Sequence, residues 1–261
     1  MNHYAHSRWK NIVLPDFGKV KYLVVSCSLF FMSCARYYYA PNSVNIPLLS
    51  EGEAKINVQY STGSISDGFE CQSAFAVSSH FGGMVNMMVN ESSTDVYFES
   101  EATTHMSFIE AGAGYFTPIK STDFIFETYG GIGTGGVRNE YDPGNSTVRF
   151  TKLFLQPNIG YKINHFEVGV GSRLSWTKHN VITPLPPNSE DYIELEGLKN
   201  NPVSVFWEPG IALRAGFRKF MLQLQFTKSV NLNHTKDAFT QEDANFSIGF
   251  NFPIHYKTAD K

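Results

Sequence analysis

Cysteine is scarce in this chain of 261 residues, and the three present are Cys27, Cys34 and Cys71. None stands in a Cys/His cluster with zinc-ligand spacing, which excludes a zinc-organised fold. Charge is scarce as well, at 17% Asp, Glu, Lys and Arg, against about 25% in an ordinary soluble domain. The signs nearly balance, 21 basic to 24 acidic. Disordered tails, coiled coils and basic nucleic-acid modules all need more charge, or more of one sign. Beyond the N-terminal region helical periodicity is almost missing. The resources of the chain lie elsewhere, in 22 phenylalanines, 21 glycines and 13 tyrosines.

Near the N-terminus, Lys19 and Lys21 precede the apolar run Tyr22–Met32. It has the length of a signal-peptide core and is too short to span a bilayer as a helix. It ends in Phe31-Met32-Ser33-Cys34-Ala35, which resembles a bacterial lipoprotein lipobox. That resemblance implies an acylated Cys34 as the first residue of the mature chain. Leu is more common where Phe31 stands, and a small residue where Met32 stands. Val24-Val25-Ser26-Cys27 is a weaker second match, and simple cleavage, for example after Ala40, is the alternative. Residues 1–33 are thus expected to be a signal peptide, and 34–52 a lipidated tether. Removing 1–33 takes away Arg8, Lys10, Lys19, Lys21 and Asp16 and leaves an acidic mature chain, so nucleic acid is not expected as a partner. Cys71 would then be the sole thiol, buried or facing lipid.

From residue 53 onward, large apolar residues alternate with small or polar ones at period two, the signature of strands. Ten are expected, at about 53–61, 69–80, 83–91, 105–117, 123–134, 148–162, 165–178, 203–217, 220–229 and 245–254. Most approach the ~9–11 residues that cross a bilayer at a tilt. Longer connections at 62–68, 92–104, 135–147, 179–202 and 230–244 alternate with short ones at Gly82, 118–122, Asn164 and Arg218-Lys219. Phe220, Leu222, Leu224 and Phe226 form one face of a strand, and Met221, Gln223, Gln225 and Thr227 the other. Phe246, Ile248, Phe250 and Phe252 likewise alternate with Ser247, Gly249 and Asn251. The second face is small, polar or singly charged, as a narrow lumen requires. The charges expected there are Lys55, Lys152, Arg173 and Arg214 against Glu70, Glu110, Glu127, Glu167 and Glu208. Buried charges must pair, so this set implies a plugged interior.

The pattern over 53–254 resembles the small outer-membrane β-barrel proteins of Bacteroidota. The resemblance implies an all-β, up-and-down antiparallel transmembrane barrel of about ten strands, with short periplasmic turns and long extracellular loops. An even strand count puts both barrel ends in the periplasm. The lipid on Cys34 is then expected in the periplasmic leaflet, with 255–261 as a C-terminal tail.

Candidate chemistry is thin. Gly131-Ile-Gly133-Thr-Gly135-Gly136 matches the dinucleotide pattern G-x-G-x-x-G, but a turn-forming loop follows instead of a helix, so the glycines read as small strand residues. His179 and His234 lie near expected extracellular strand ends. A lipid A deacylase places Ser two residues after its His, whereas Val181 and Lys236 stand here. His105 could meet Glu99 or Glu101. The loop at 179–202, with Pro184, Pro186, Pro187, Asp191 and Tyr192, reads equally as a recognition loop or as a cover packed over the mouth. The expectation is a non-enzymatic accessory subunit without a cofactor, in contact with outer-membrane lipid and another outer-membrane protein or complex. The alternatives are a lipid-modifying enzyme and a lipid-tethered periplasmic barrel around a hydrophobic ligand.

Overall fold

The computed structural model describes residues 36–94, 102–141, 144–183, 191–233 and 239–256. Among them ten antiparallel strands close into a barrel: β1 (Glu53–Gly63), β2 (Asp67–Ala76), β3 (Phe81–Thr94), β4 (Ala102–Pro118), β5 (Phe124–Tyr141), β6 (Gly144–Ile163), β7 (Phe166–Val181), β8 (Val203–Phe217), β9 (Phe220–Lys228) and β10 (Ala244–His255). One helix, α1 (Asp191–Asn200), lies between β7 and β8. Each strand pairs with the next, and β10 returns to β1 with Phe252 opposite Ile56, so the sheet has no free edge. Closure of this kind removes the unpaired N–H and C=O rows of an open sheet. Beyond Lys228, β9 resumes as Val230–Asn231 in unchanged register with β8. The interruption falls opposite Glu208 and Pro209, and a proline has no N–H to give the ladder.

The strands are those expected, with ends moved by a few residues. Of the connections expected to be long, 62–68 contracts to residues 64–66 and 135–147 to residues 142 and 143. The rest of both stretches is strand, so β5 and β6 reach 18 and 20 residues. The short turn expected at Gly82 lies at residues 77–80, where Ser78 Oγ accepts from the N–H groups of His80 and Phe81. Helix α1 was not expected at all. Its Leu195 and Leu198 are buried with Tyr38, Tyr39, Val148, Phe206 and Phe239 at the end of the barrel carrying the longer loops.

Along every strand one set of side chains faces out and the other in. Ile56, Val58 and Tyr60 are exposed, while Lys55, Asn57 and Gln59 are buried. The inward face is less uniformly polar than the pattern implied. Met84, Met88, Phe108, Phe116, Phe150, Phe154 and Phe206 all point into the barrel and are buried. Three glycines of the G-x-G-x-x-G stretch make room for three of those rings. A Cβ on Gly131, Gly133 or Gly135 would stand 2.6, 2.6 or 2.7 Å from the rings of Phe154, Phe108 and Phe150. They are strand residues paired on both sides, with aromatic rings covering the gaps their missing side chains leave.

The largest correction concerns 34–52. Of the expected tether, Tyr37–Leu49 is buried inside the barrel, and residues 1–35, Cys34 included, lie outside the described residues. Tyr38 N–H donates to the carbonyl of Thr240, and Tyr39 bridges to Gln241, both at the long-loop end. The segment then runs down the lumen to Ser50, which caps the turn into β1 at the opposite end. Leu48 (φ 50°) and Gly52 (φ 66°) take left-handed conformations there and reverse the chain. The described chain therefore begins at the long-loop mouth, not at the short-turn side where the tether was expected.

Overpacking provides a test of the glycine–phenylalanine layer. Gly133→Val would press on both the Phe108 ring and Cβ of Glu110, and is expected to cost about 1–3 kcal/mol in unfolding free energy, read as a lowered urea midpoint in lipid or detergent.

Candidate functional site: a filled lumen between two mouths

Extended chain inside a closed wall meets a particular problem. The wall strands have used their own N–H and C=O groups on one another, so the threaded backbone can be satisfied only by inward side chains. Six consecutive carbonyls receive one. Pro41 accepts from Asn245 Nδ2 (3.0 Å), Asn42 from Arg173 Nη2 (2.9 Å), and Ser43 from Gln72 Nε2 (2.8 Å). Val44 accepts from Gln225 Nε2 (3.2 Å), Asn45 from Gln156 Nε2 (2.6 Å), and Ile46 from Arg214 Nη2 (2.7 Å). Those donors sit on β10, β7, β2, β9, β6 and β8, six different strands. In return, Ser43 N–H donates to Glu70 (3.0 Å), Val44 N–H to Thr227 Oγ1 (3.0 Å) and Leu49 N–H to Glu127 (2.7 Å). Pro41 and Pro47 have no N–H to satisfy.

All nine charged residues expected in the lumen are there and buried. They fall into two clusters and a pair of acids. In the first cluster Arg173 holds Glu208 at 2.7 Å and Glu110 at 3.1 Å, with Lys152 3.5 Å from Glu110. Tyr39 Oη and Ser175 Oγ donate to Glu208, and Asn42 and Asn86 donate to Glu110. In the second, Glu167 is gripped by Lys55 at 2.7 Å and Arg214 at 2.9 Å. Neutral donors hold the remaining two acids. Glu70 accepts from Ser43, Gln59 and Asn245, and Glu127 from Leu49, Asn158 and Tyr129. These two carboxylates therefore depend directly on the threaded backbone.

Sequence reasoning missed Glu53, Lys162 and Glu242. Glu53 pairs with Lys162 at the short-turn end. Glu242 takes the N–H groups of Ser64, Ile65 and Ser66 at the other end, fixing the β1–β2 turn. It also missed the segment itself, although Ser43-Val44-Asn45-Ile46 carries the same polar/apolar alternation as the strands.

The outer wall is the complement of this interior. From Thr151 to Ile163 the outward residues of β6 are uncharged, and Leu153, Leu155 and Ile159 are exposed. At about 3.3 Å per residue and a tilt near 40°, that stretch is about 30 Å tall, the thickness of a bilayer's hydrocarbon core. Outward charge is confined to the rims, with Glu91, His105, Arg138, Glu140, Arg149 and Lys178 at the long-loop end. Aromatics gather at both: Tyr60, Phe69, Trp176 and Trp207 on one, Phe81, Tyr115, Phe124 and Tyr161 on the other. Several polar groups within the apolar band find partners in the wall itself. Trp207 Nε1 donates to Ser172 Oγ (2.9 Å), and the hydroxyls of Ser73 and Thr134 bond to carbonyls of adjacent strands. Cys71 is a free, exposed thiol on this outer face.

Of the other candidates, His179 is buried between Phe150 and Phe239 at the mouth. His105 lies on the outer rim, 4.0 Å from Glu91. Tyr192 is half-buried on α1. Pro184, Pro186, Pro187 and His234, with the expected His105 partners Glu99 and Glu101, fall outside the described residues, as does the side chain of Asp191.

The two ion-pair settings make a contrast that can be measured. Arg173→Met leaves Glu208 buried without its closest cation and is expected to destabilise the barrel by about 3–5 kcal/mol. Arg138→Met breaks an exposed pair with Glu140 and is expected to change stability by under about 1 kcal/mol. Both are read by urea unfolding in lipid vesicles.

No protein-family model and no curated protein matches the chain. Solved structures that resemble it are outer-membrane barrels. The translocator domain of the autotransporter NalP from Neisseria meningitidis aligns over 92% of this chain and 95% of its own, at 10% identity and a TM-score of 0.45. The transport unit of the autotransporter AIDA-I from Escherichia coli aligns over 92% and 97%, at 11% identity and a TM-score of 0.46. The N-terminal β-barrel domain of Pseudomonas aeruginosa OprF aligns over 79% of this chain and 100% of its own, at 6% identity and a TM-score of 0.32.

Proposed function

We propose that this protein is a non-enzymatic outer-membrane β-barrel whose lumen is closed by its own segment Tyr37–Ser50, and that it acts as an accessory or structural subunit of a larger envelope complex. The observation that carries the reading is the filled lumen. The wall charges are spent on one another and on the segment's main chain, which supports a lumen closed to solute. The uncharged outer band between aromatic rims supports a membrane setting. What remains to offer a partner is the outer wall and the loops around the long-loop mouth, which in outer-membrane barrels is the extracellular side. Acylation of Cys34 belongs to this proposal and is supported by the Phe31–Ala35 pattern alone. The lipid's placement in the periplasmic leaflet is dropped from it, because Tyr37 stands at the long-loop mouth.

The test has two parts. Outer-membrane fractions run unboiled and boiled on SDS gels are expected to show the mobility shift of a closed barrel. The purified protein in planar bilayers is expected to remain electrically silent. Discrete conductance steps from the intact chain would contradict the closed lumen.

A further inference from the structure

The hydrogen bonds that hold Tyr37–Ser50 are made mostly to its main chain. Any polypeptide of the same direction and extended form would present the same carbonyls and N–H groups to Asn245, Arg173, Gln72, Gln225, Gln156 and Arg214. Side-chain recognition is narrower: Tyr39 reaches Glu208 and Asn42 reaches Glu110 and Lys152 near the long-loop mouth, and two requirements govern the stretch below them. Small polar residues are read on one side, where Ser43 Oγ meets Glu70 and Ser247, and Asn45 Nδ2 meets Asn86 Oδ1 at 2.7 Å. On the other side branched apolar residues lie against glycines. A Cβ on Gly169 would stand 2.7 Å from Ile46, one on Gly160 2.5 Å from Leu48, and one on Gly210 2.9 Å from Val44. These inward glycines of β6, β7 and β8 are seats for side chains that arrive from outside the wall sequence.

Resting on the closed-lumen reading, we infer that the lumen is a binding site for an extended polypeptide of alternating small polar and branched apolar residues, and that Tyr37–Ser50 is an exchangeable occupant of it. The ligand runs with its N-terminal side at the long-loop mouth and its C-terminal side at the short turns, as Tyr39 and Ser50 do. The barrel is then a receptor already filled in cis, able to take the same stretch from a second chain when its own is withdrawn. An empty lumen would leave Glu70 and Glu127 without the main-chain donors they now hold. That cost favours replacement of one strand by another over simple release.

The experiment uses the full chain with a site-specific protease sequence inserted after Glu51, an exposed residue in the turn before β1. After folding, confirmed by heat-modifiability, the turn is cut and a fluorescein-labelled synthetic peptide of residues 37–50 is added. The expected result is that the cut segment stays bound through gel filtration and is replaced by label under a hundred-fold excess of peptide. A cut barrel washed free of segment should conduct in planar bilayers, and the peptide should silence it. Failure of the label to bind, with the uncut barrel silent, would overturn the exchangeable site and leave the closed lumen standing. Conductance from the uncut barrel would overturn both. Gly169→Leu, which fills the seat of Ile46, should speed loss of the cut segment at least ten-fold without altering the heat shift. Unchanged retention in that variant would also overturn the inference.

Discussion

Everything inside this barrel answers one constraint: a main chain threaded through a closed sheet cannot join the sheet's ladder. Its carbonyls and N–H groups must be met by side chains, or each would cost on the order of 1–3 kcal/mol as an unpaired buried group. Inward positions of six strands supply a donor apiece to carbonyls Pro41 through Ile46. Arg173 and Arg214 do this with one arm of the guanidinium while the others hold Glu208, Glu110 and Glu167. The planar fork suits such double duty, as a lysine ammonium would not.

The same requirement explains the layering of the interior. Apolar clusters lie toward the two ends, Tyr37 with Met88, Phe108 and Phe150 near the long-loop mouth and Leu49 with Met84, Phe116 and Phe154 toward the turns. The Arg173 cluster lies between them, while Lys55, Glu167 and Arg214 stand near the short-turn ends of β1, β7 and β8. Buried ion pairs gain from low dielectric only when fully bonded, and the apolar layers flank the Arg173 cluster on both sides. Outside, the requirement reverses: hydrocarbon offers no partner at all, so charge retreats to the rims and stray hydroxyls bond to backbone.

Much of this was legible from residue order. Period-two alternation places the ten strands, and charges isolated among small residues single out nine of the inward ionic groups, because neither outcome depends on distant parts of the chain. Four features were not legible. In β6, Phe150 and Phe154 point in while Leu153 and Leu155 point out, and two apolar faces carry no alternation to read. The partners of Glu70 and Glu127 are main-chain N–H groups, which leave no mark in a sequence. The length of the β5–β6 hairpin was hidden because Val137–Tyr141 and Asn145–Thr147 are polar and turn-forming, yet stay paired as strand beyond the apolar band. The segment 37–50 has prolines at both ends of its central stretch and no partner strand, so it reads as a linker until the lumen around it is seen.

Amide hydrogen exchange of the folded protein, followed by mass spectrometry over peptides covering residues 37–50, tests the central claim most directly. The N–H groups of Ser43, Val44 and Leu49 are bonded to the wall inside a closed barrel, so the account predicts protection comparable to that of β1 and β10. Complete exchange of this segment within seconds, while the strands stay protected, would contradict it.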